Sequence, residues 1–94
     1  MKPLEFPSNR ERVLYAHVEG DVLIITCGWS VPIPRGLAIA YAKRGYQHGN
    51  ADGQGFYNKD PKIGLHHGDL RLDLEVHEVH AIIALIEQAF ADAF

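Results

Sequence analysis

Six histidines stand in 94 residues: His17, His48, His66, His67, His77 and His80. Imidazole is a common metal ligand and the side chain best suited to moving protons near neutral pH. The run 75–80, Glu-Val-His-Glu-Val-His, brings two of them together. His77 and His80 are three apart, so on a helix they share a side where two imidazoles can meet one Zn²⁺ or Ni²⁺. The metalloprotease pattern needs its histidines four apart, and here the second comes one residue early. A third ligand is also required. His66 and His67 are adjacent in a candidate strand and point to opposite faces, so they cannot both join one site. A metal-binding protein built on His77 and His80 is therefore an alternative function, and no physiological metal or other cofactor is expected.

Other chemistry is excluded more directly. Cys27, the one cysteine, lies in an apolar run and faces away from His17 in the hairpin described below, so the two make no thiol–imidazole nucleophile. Ser30 follows Gly28-Trp29 and precedes Val31-Pro32, which is not the nucleophile-elbow context. The glycines at 49, 53 and 55 lack the Gly-Lys-Ser/Thr ending of a phosphate loop. Asn50-Ala51-Asp52-Gly53 lacks the later ligands of a calcium loop. With no nucleophile pair, phosphate loop or ligand set, the expectation is a protein that is not an enzyme.

Binding chemistry has better candidates. Residues 45–62 hold four glycines, two asparagines, two aspartates and a proline around Tyr46, Phe56 and Tyr57. So long a glycine-rich connection is usually functional or mobile. Its rings either pin it to the core or meet a partner. A second candidate is acidic. Residues 1–47 carry six basic and four acidic side chains, whereas 48–94 carry three basic and eight acidic. The net charge of −3 is thus a basic half and a strongly acidic half, with Asp73, Glu75 and Glu78 as the candidate contact for a basic partner. The same imbalance disfavours nucleic acid along the C-terminal third. A single-stranded nucleic-acid binder using the sheet is nevertheless the other alternative, through Arg10, Arg12, Arg35, Lys43 and Arg44 with Tyr41 and the loop aromatics.

The elements that must position these residues follow from turn chemistry and periodicity. Composition is globular, 47% apolar, 22% charged and 10% aromatic, and 94 residues make one domain. Residues 1–10 read as an irregular arm. Gly20-Asp21 and Gly68-Asp69 each read as a two-residue hairpin turn. The first sets Glu19 opposite Val22 and His17 opposite Ile24, with Leu14, Ala16, Val18, Leu23, Ile25, Cys27 and Trp29 on a core face. The second sets Leu65 opposite Leu72 and His67 opposite Leu70, with Ile63, Leu65, Leu70, Leu72 and Leu74 facing in. Pro32, Pro34 and Gly36 make 30–36 a loop. In 37–44 strict alternation of Leu37, Ile39 and Tyr41 with three alanines favours a strand. Lys43-Arg44-Gly45 suits a helix end instead.

Val79, Ile82, Ile83, Ile86, Ala89 and Phe90 recur at helical spacing, which predicts a helix over 76–91. Its other side, His77, Ala81, Ala84 and Gln88, is small enough for a second helix to approach, so a homodimer through this helix is expected. The fold expected is α+β: an antiparallel sheet of four to five strands with one C-terminal helix on one face. A helix at 37–44 would make it β-β-α, β-β-α instead. No apolar run is long enough to span a membrane, and Met1-Lys2-Pro3 opens no secretory signal. A cytoplasmic location is expected, in keeping with a lone cysteine. The leading function is a small interaction module that binds and inhibits or regulates another macromolecule, such as an immunity or accessory protein of a phage or mobile element.

Overall fold

The computed structural model describes residues 4–9, 12–46 and 53–94, with side chains from residue 15 onward. Both Gly-Asp turns form. Gly20 and Gly68 each take φ 58°, while the aspartate that follows keeps a negative φ, the type II′ geometry whose twist matches paired strands. Around the first turn, β2 (Arg12–Glu19) pairs with β3 (Val22–Thr26), Glu19 opposite Val22 and His17 opposite Ile24. Around the second, β6 (Lys62–His67) pairs with β7 (Leu70–Leu74), Leu65 opposite Leu72. Both registers agree with the turn-based expectation, because a two-residue loop leaves no freedom in pairing.

The α+β class holds, but the single sheet does not. The strands form two antiparallel sheets, four-stranded β1-β2-β3-β4 and three-stranded β5-β6-β7. Residues 1–10 are not simply an irregular arm: β1 (Leu4–Asn9) pairs with β2, with a register shift between Phe6 and Asn9. Nor is 30–36 a loop. β4 (Ser30–Pro34) pairs with β3, and its prolines are tolerated for a geometric reason. With Glu19 and Val22 flanking the turn, alternate pairing directs the N–H groups of Val31 and Ile33 toward β3, while those of positions 30, 32 and 34 face outward. Proline lacks only a donor that an edge strand does not use.

The strand expected at 37–44 is a helix, α1 (Arg35–Arg44). Ala38 and Tyr41, three apart, are buried, and Leu37 is exposed, which is helical and not alternating burial. The helix ends at Gly45, φ 68°, whose N–H donates to the Tyr41 carbonyl at 3.0 Å. The long 45–62 loop is also shortened. β5 (Gly55–Lys59) pairs with β6 across the Asp60–Pro61 turn. Alternation failed to reveal β5 because both of its faces are covered. Phe56 faces the core with Leu65. Tyr57 lies on the opposite side against Gly64, where a methyl group would fall inside its ring.

The last helix, α2 (Val76–Ala89), is followed by a 3₁₀ turn (Ala91–Ala93), so the helix expected over 76–91 is slightly shorter. Val79, Ile82, Leu85, Ile86 and Phe90 are buried in one cluster with Leu23, Ile25 and Ile33 of the first sheet and Phe56, Leu65 and Leu72 of the second. Each such side chain contributes about 1.5–3 kcal/mol on burial. Helix α1 packs on α2. Arg35 at its start donates to Asp92 at 2.6 Å and lies 5.4 Å from the Phe90 ring centre, while Tyr46 beyond its end meets His80. The two helices are therefore antiparallel. Among the described residues no helix is long and apolar enough to cross a membrane.

The Tyr57–Gly64 contact gives a direct test of this packing. Gly64→Ala should destabilise the protein by about 1–3 kcal/mol in urea unfolding, since a buried ring must leave its place. In a Tyr57→Ala background the same substitution should cost much less, and equal costs in both backgrounds would show that the ring does not rest on Gly64.

Candidate interaction surfaces

The three loop aromatics occupy different environments. Phe56 is 2% exposed and belongs to the core, so it presents no area to a partner. Tyr57 is 6% exposed and seals the bare backbone at Gly64, as aromatic rings do beside glycine in sheets. Tyr46 is half-buried, with its hydroxyl 3.3 Å from His80 Nε2. The rest of the glycine-rich stretch, 47–52, lies outside the described residues, and His48 with it. Arg44 joins the two ends of this stretch: its guanidinium donates to the carbonyls of Gln54 and Phe56.

The acidic trio is also dispersed by the fold. Glu78 is 1% exposed. It closes a capping box: its Oε1 accepts the Glu75 N–H at 2.8 Å, and the Glu75 side chain accepts the N–H of Glu78. Asp73 and Glu75 are partly open to solvent, but each faces a lysine. Lys59 Nζ is 2.7 Å from Asp73, and Lys62 Nζ is 2.9 Å from Glu75. The hydrogen bond and charge of Lys62 hold the Glu75 carboxyl below the usual range, and the hydrogen bond to Asp73 raises Lys59. Two carboxylates of the acidic half thus meet lysines at the second sheet.

Histidines are used as structural polar groups. His66 is 7% exposed, with Nδ1 3.1 Å from the Gly53 carbonyl and Nε2 3.2 Å from the Gly68 carbonyl. Carbonyl oxygens only accept, so it is a ring N–H of His66 that donates to them. The Gly68 N–H in turn donates to Gln54 Oε1 at 2.7 Å, which ties the start of β5 to the β6–β7 turn. His67 shares a 2.8 Å hydrogen bond with the Tyr41 hydroxyl, whose pKa is raised by burial and partly offset by Arg44. His77 and His80 are exposed on the first turns of α2. Among the described residues no three His, Cys, Asp or Glu side chains gather as a metal site. None of these pairings left a periodic signal, since the partners are from 13 to 34 residues apart apart from the local bond to Gly68.

The solvent side of the first sheet carries a surface not singled out from sequence. Register places Tyr15, Thr26 and Ser30 in one row, His17, Ile24 and Pro32 in the next, and Glu19, Val22 and Pro34 in the third. Trp29, expected on the core face, is instead 59% exposed. It lies in the Cys27–Trp29 turn beyond the ladder, where strand alternation no longer directs side chains. No family profile, curated protein or solved structure matches the chain.

Two measurements check the roles given to the carboxylates. Glu78→Ala should lower stability by about 1 kcal/mol, while Glu78→Gln, which still accepts the Glu75 N–H, should retain most of it in urea melts. The second concerns acid. Arg35 holds Asp92 below its usual range, as Lys62 does Glu75. Carboxylates more acidic when folded add stability that is complete above their unfolded values and is lost as pH falls through the folded ones. A Glu75→Gln, Asp92→Asn variant should therefore lose less stability than the parent between about pH 5 and pH 3; parallel curves would exclude these pairs as the acid-sensitive groups.

Proposed function

We propose that the chain is a small non-enzymatic module that binds another protein through the solvent side of its four-stranded sheet and thereby inhibits or regulates it. The observation that carries this reading is the apolar outer face on which Tyr15, Pro32 and Pro34 are exposed around half-buried Val22 and Ile24, with the open indole of Trp29 at its end. Tryptophan and tyrosine dominate the energetics of protein interfaces, because one rigid ring excludes much water at small entropic cost. An inhibitor or immunity-type accessory protein of a phage or mobile element fits this size and surface.

The basic side chains favour a protein over single-stranded nucleic acid. Arg35 and Arg44 are engaged with Asp92 and with backbone carbonyls, and Lys43 lies 5.5 Å from the Phe94 ring centre. All three belong to α1 and none to the outer sheet face. Tyr41, a proposed stacking ring, is buried. That face offers no lysine or arginine among its described residues, and a phosphate backbone needs them.

The test is photo-crosslinking from position 29 in the native cell, followed by binding measurements on the protein so captured. Ile24→Lys and Trp29→Ala should leave the melting curve near that of the parent and weaken binding at least tenfold, or about 1.4 kcal/mol. Undiminished binding by both variants would sink the reading. Salt-dependent binding of a single-stranded oligonucleotide, unaffected by Trp29→Ala, would replace it with the nucleic-acid alternative.

A further inference from the structure

An unpaired strand edge is a row of backbone donors and acceptors that invites another strand, and proteins generally blunt such edges. Two sheets present four edges here, and three are blunted. On β1 the register breaks between Phe6 and Asn9, around Pro7. On β4, prolines remove two of the three outward-facing N–H positions. On β5, Arg44 covers the outward carbonyls of Gln54 and Phe56. The remaining edge, β7, carries no proline, register break or covering side chain among the described residues, and its two outward charges, Arg71 and Asp73, are of opposite sign.

The free groups on β7 can be identified. His67 and Leu70 flank a two-residue turn, so Leu70, Leu72 and Leu74 bond to β6, and the N–H and C=O groups of Arg71 and Asp73 face outward. No backbone hydrogen bond from another described segment reaches them. Both side chains are exposed, while the three leucines are buried on the core face.

The strand Leu70-Arg71-Leu72-Asp73-Leu74 is complementary to itself when reversed. Laid antiparallel on a second copy about a two-fold axis at Leu72, it sets Arg71 opposite the other copy's Asp73 at both ends. Leu72 then meets its own counterpart, and Leu70 meets Leu74. The hydrogen-bond phase fits as well. Arg71 and Asp73 fall at the hydrogen-bonded pairs, which are the positions with free groups, and Leu72 falls at the non-bonded pair. Opposite charges directly across a ladder are favourable, and like charges are not. Lys59 takes Asp73 Oδ1, which leaves the second carboxylate oxygen for an arginine.

We propose that β7 is a homodimer seam, through which two copies join their three-stranded sheets into one continuous sheet. This is independent of the outer face of the first sheet, which stays open in such a dimer.

Sedimentation of the untagged protein up to about 100 μM tests the seam. The parent should approach twice the 10.5 kDa chain mass. Arg71→Asp and Asp73→Arg should each weaken the dimer at least tenfold, and the double variant Arg71→Asp, Asp73→Arg should restore it. Arg71→Pro deletes one outward donor, spares the Asp73–Lys59 pair and the bonds to β6, and should also yield monomer with an unchanged circular dichroism spectrum. Ala84→Glu, on the exposed side of α2, should leave the dimer intact. A monomeric parent, single reversals that dimerise like the parent, or a swap that fails to restore association overturns the proposal. So does a dimer lost in Ala84→Glu and kept in Arg71→Pro, which would assign the contact to the helix.

Discussion

The apolar stripe of α2 is the surface on which the rest of the molecule depends. Neither sheet is large enough to bury its own inner face, and a small sheet becomes stable by packing against a helix. Val79, Ile82, Leu85, Ile86 and Phe90 bring both sheets into one buried cluster. The helix must therefore begin at a defined residue, and the Glu75–Glu78 capping box sets that start one residue after β7 ends. Its far end is held by Arg35, which meets both Phe90 and Asp92 from α1.

This architecture changes the meaning of the charged and titratable residues. The sequence suggests an acidic surface in its second half, yet Asp73 and Glu75 meet Lys59 and Lys62 at the second sheet. Exposed pairs of this kind add little stability, but they offset the charge of these two carboxylates locally. His77 and His80 stay exposed on the first turns of α2, and among the described residues no group of three possible ligands forms there. His66 turns to backbone carbonyls, His67 to Tyr41 and His80 to Tyr46. The outer face of the first sheet keeps Tyr15 and Trp29 open beside half-buried Val22 and Ile24.

Particular residues show why some features were legible and others were not. The Gly-Asp turns were readable because glycine at the first turn position and a two-residue loop leave one register. The apolar period of α2 was readable because one face is buried along its whole length. The 37–44 segment misled because alanine suits an alternating pattern and a helix equally, and burial of Ala38 and Tyr41 decided between them. Strand β5 was hidden because Phe56 and Tyr57 are both covered, which erases the alternation that marks a half-buried strand. Of the candidate contacts, Phe56, Tyr57 and Glu78 are buried, and neither an aromatic ring nor a carboxylate announces its own burial in sequence.

The sequence by itself determined the α+β class, the two hairpin registers and the buried face of the last helix. Each is set by residues within a few positions of one another, where turn geometry and side-chain period act directly. Only the tertiary structure decided that the strands divide into two sheets, that 35–44 is a helix, and which charges are spent inside the molecule. Those outcomes depend on contacts such as Tyr41 with His67, Tyr46 with His80 and Arg35 with Asp92. Their partners are distant in the chain, and a local pattern carries no information about what a folded neighbour will bring to it.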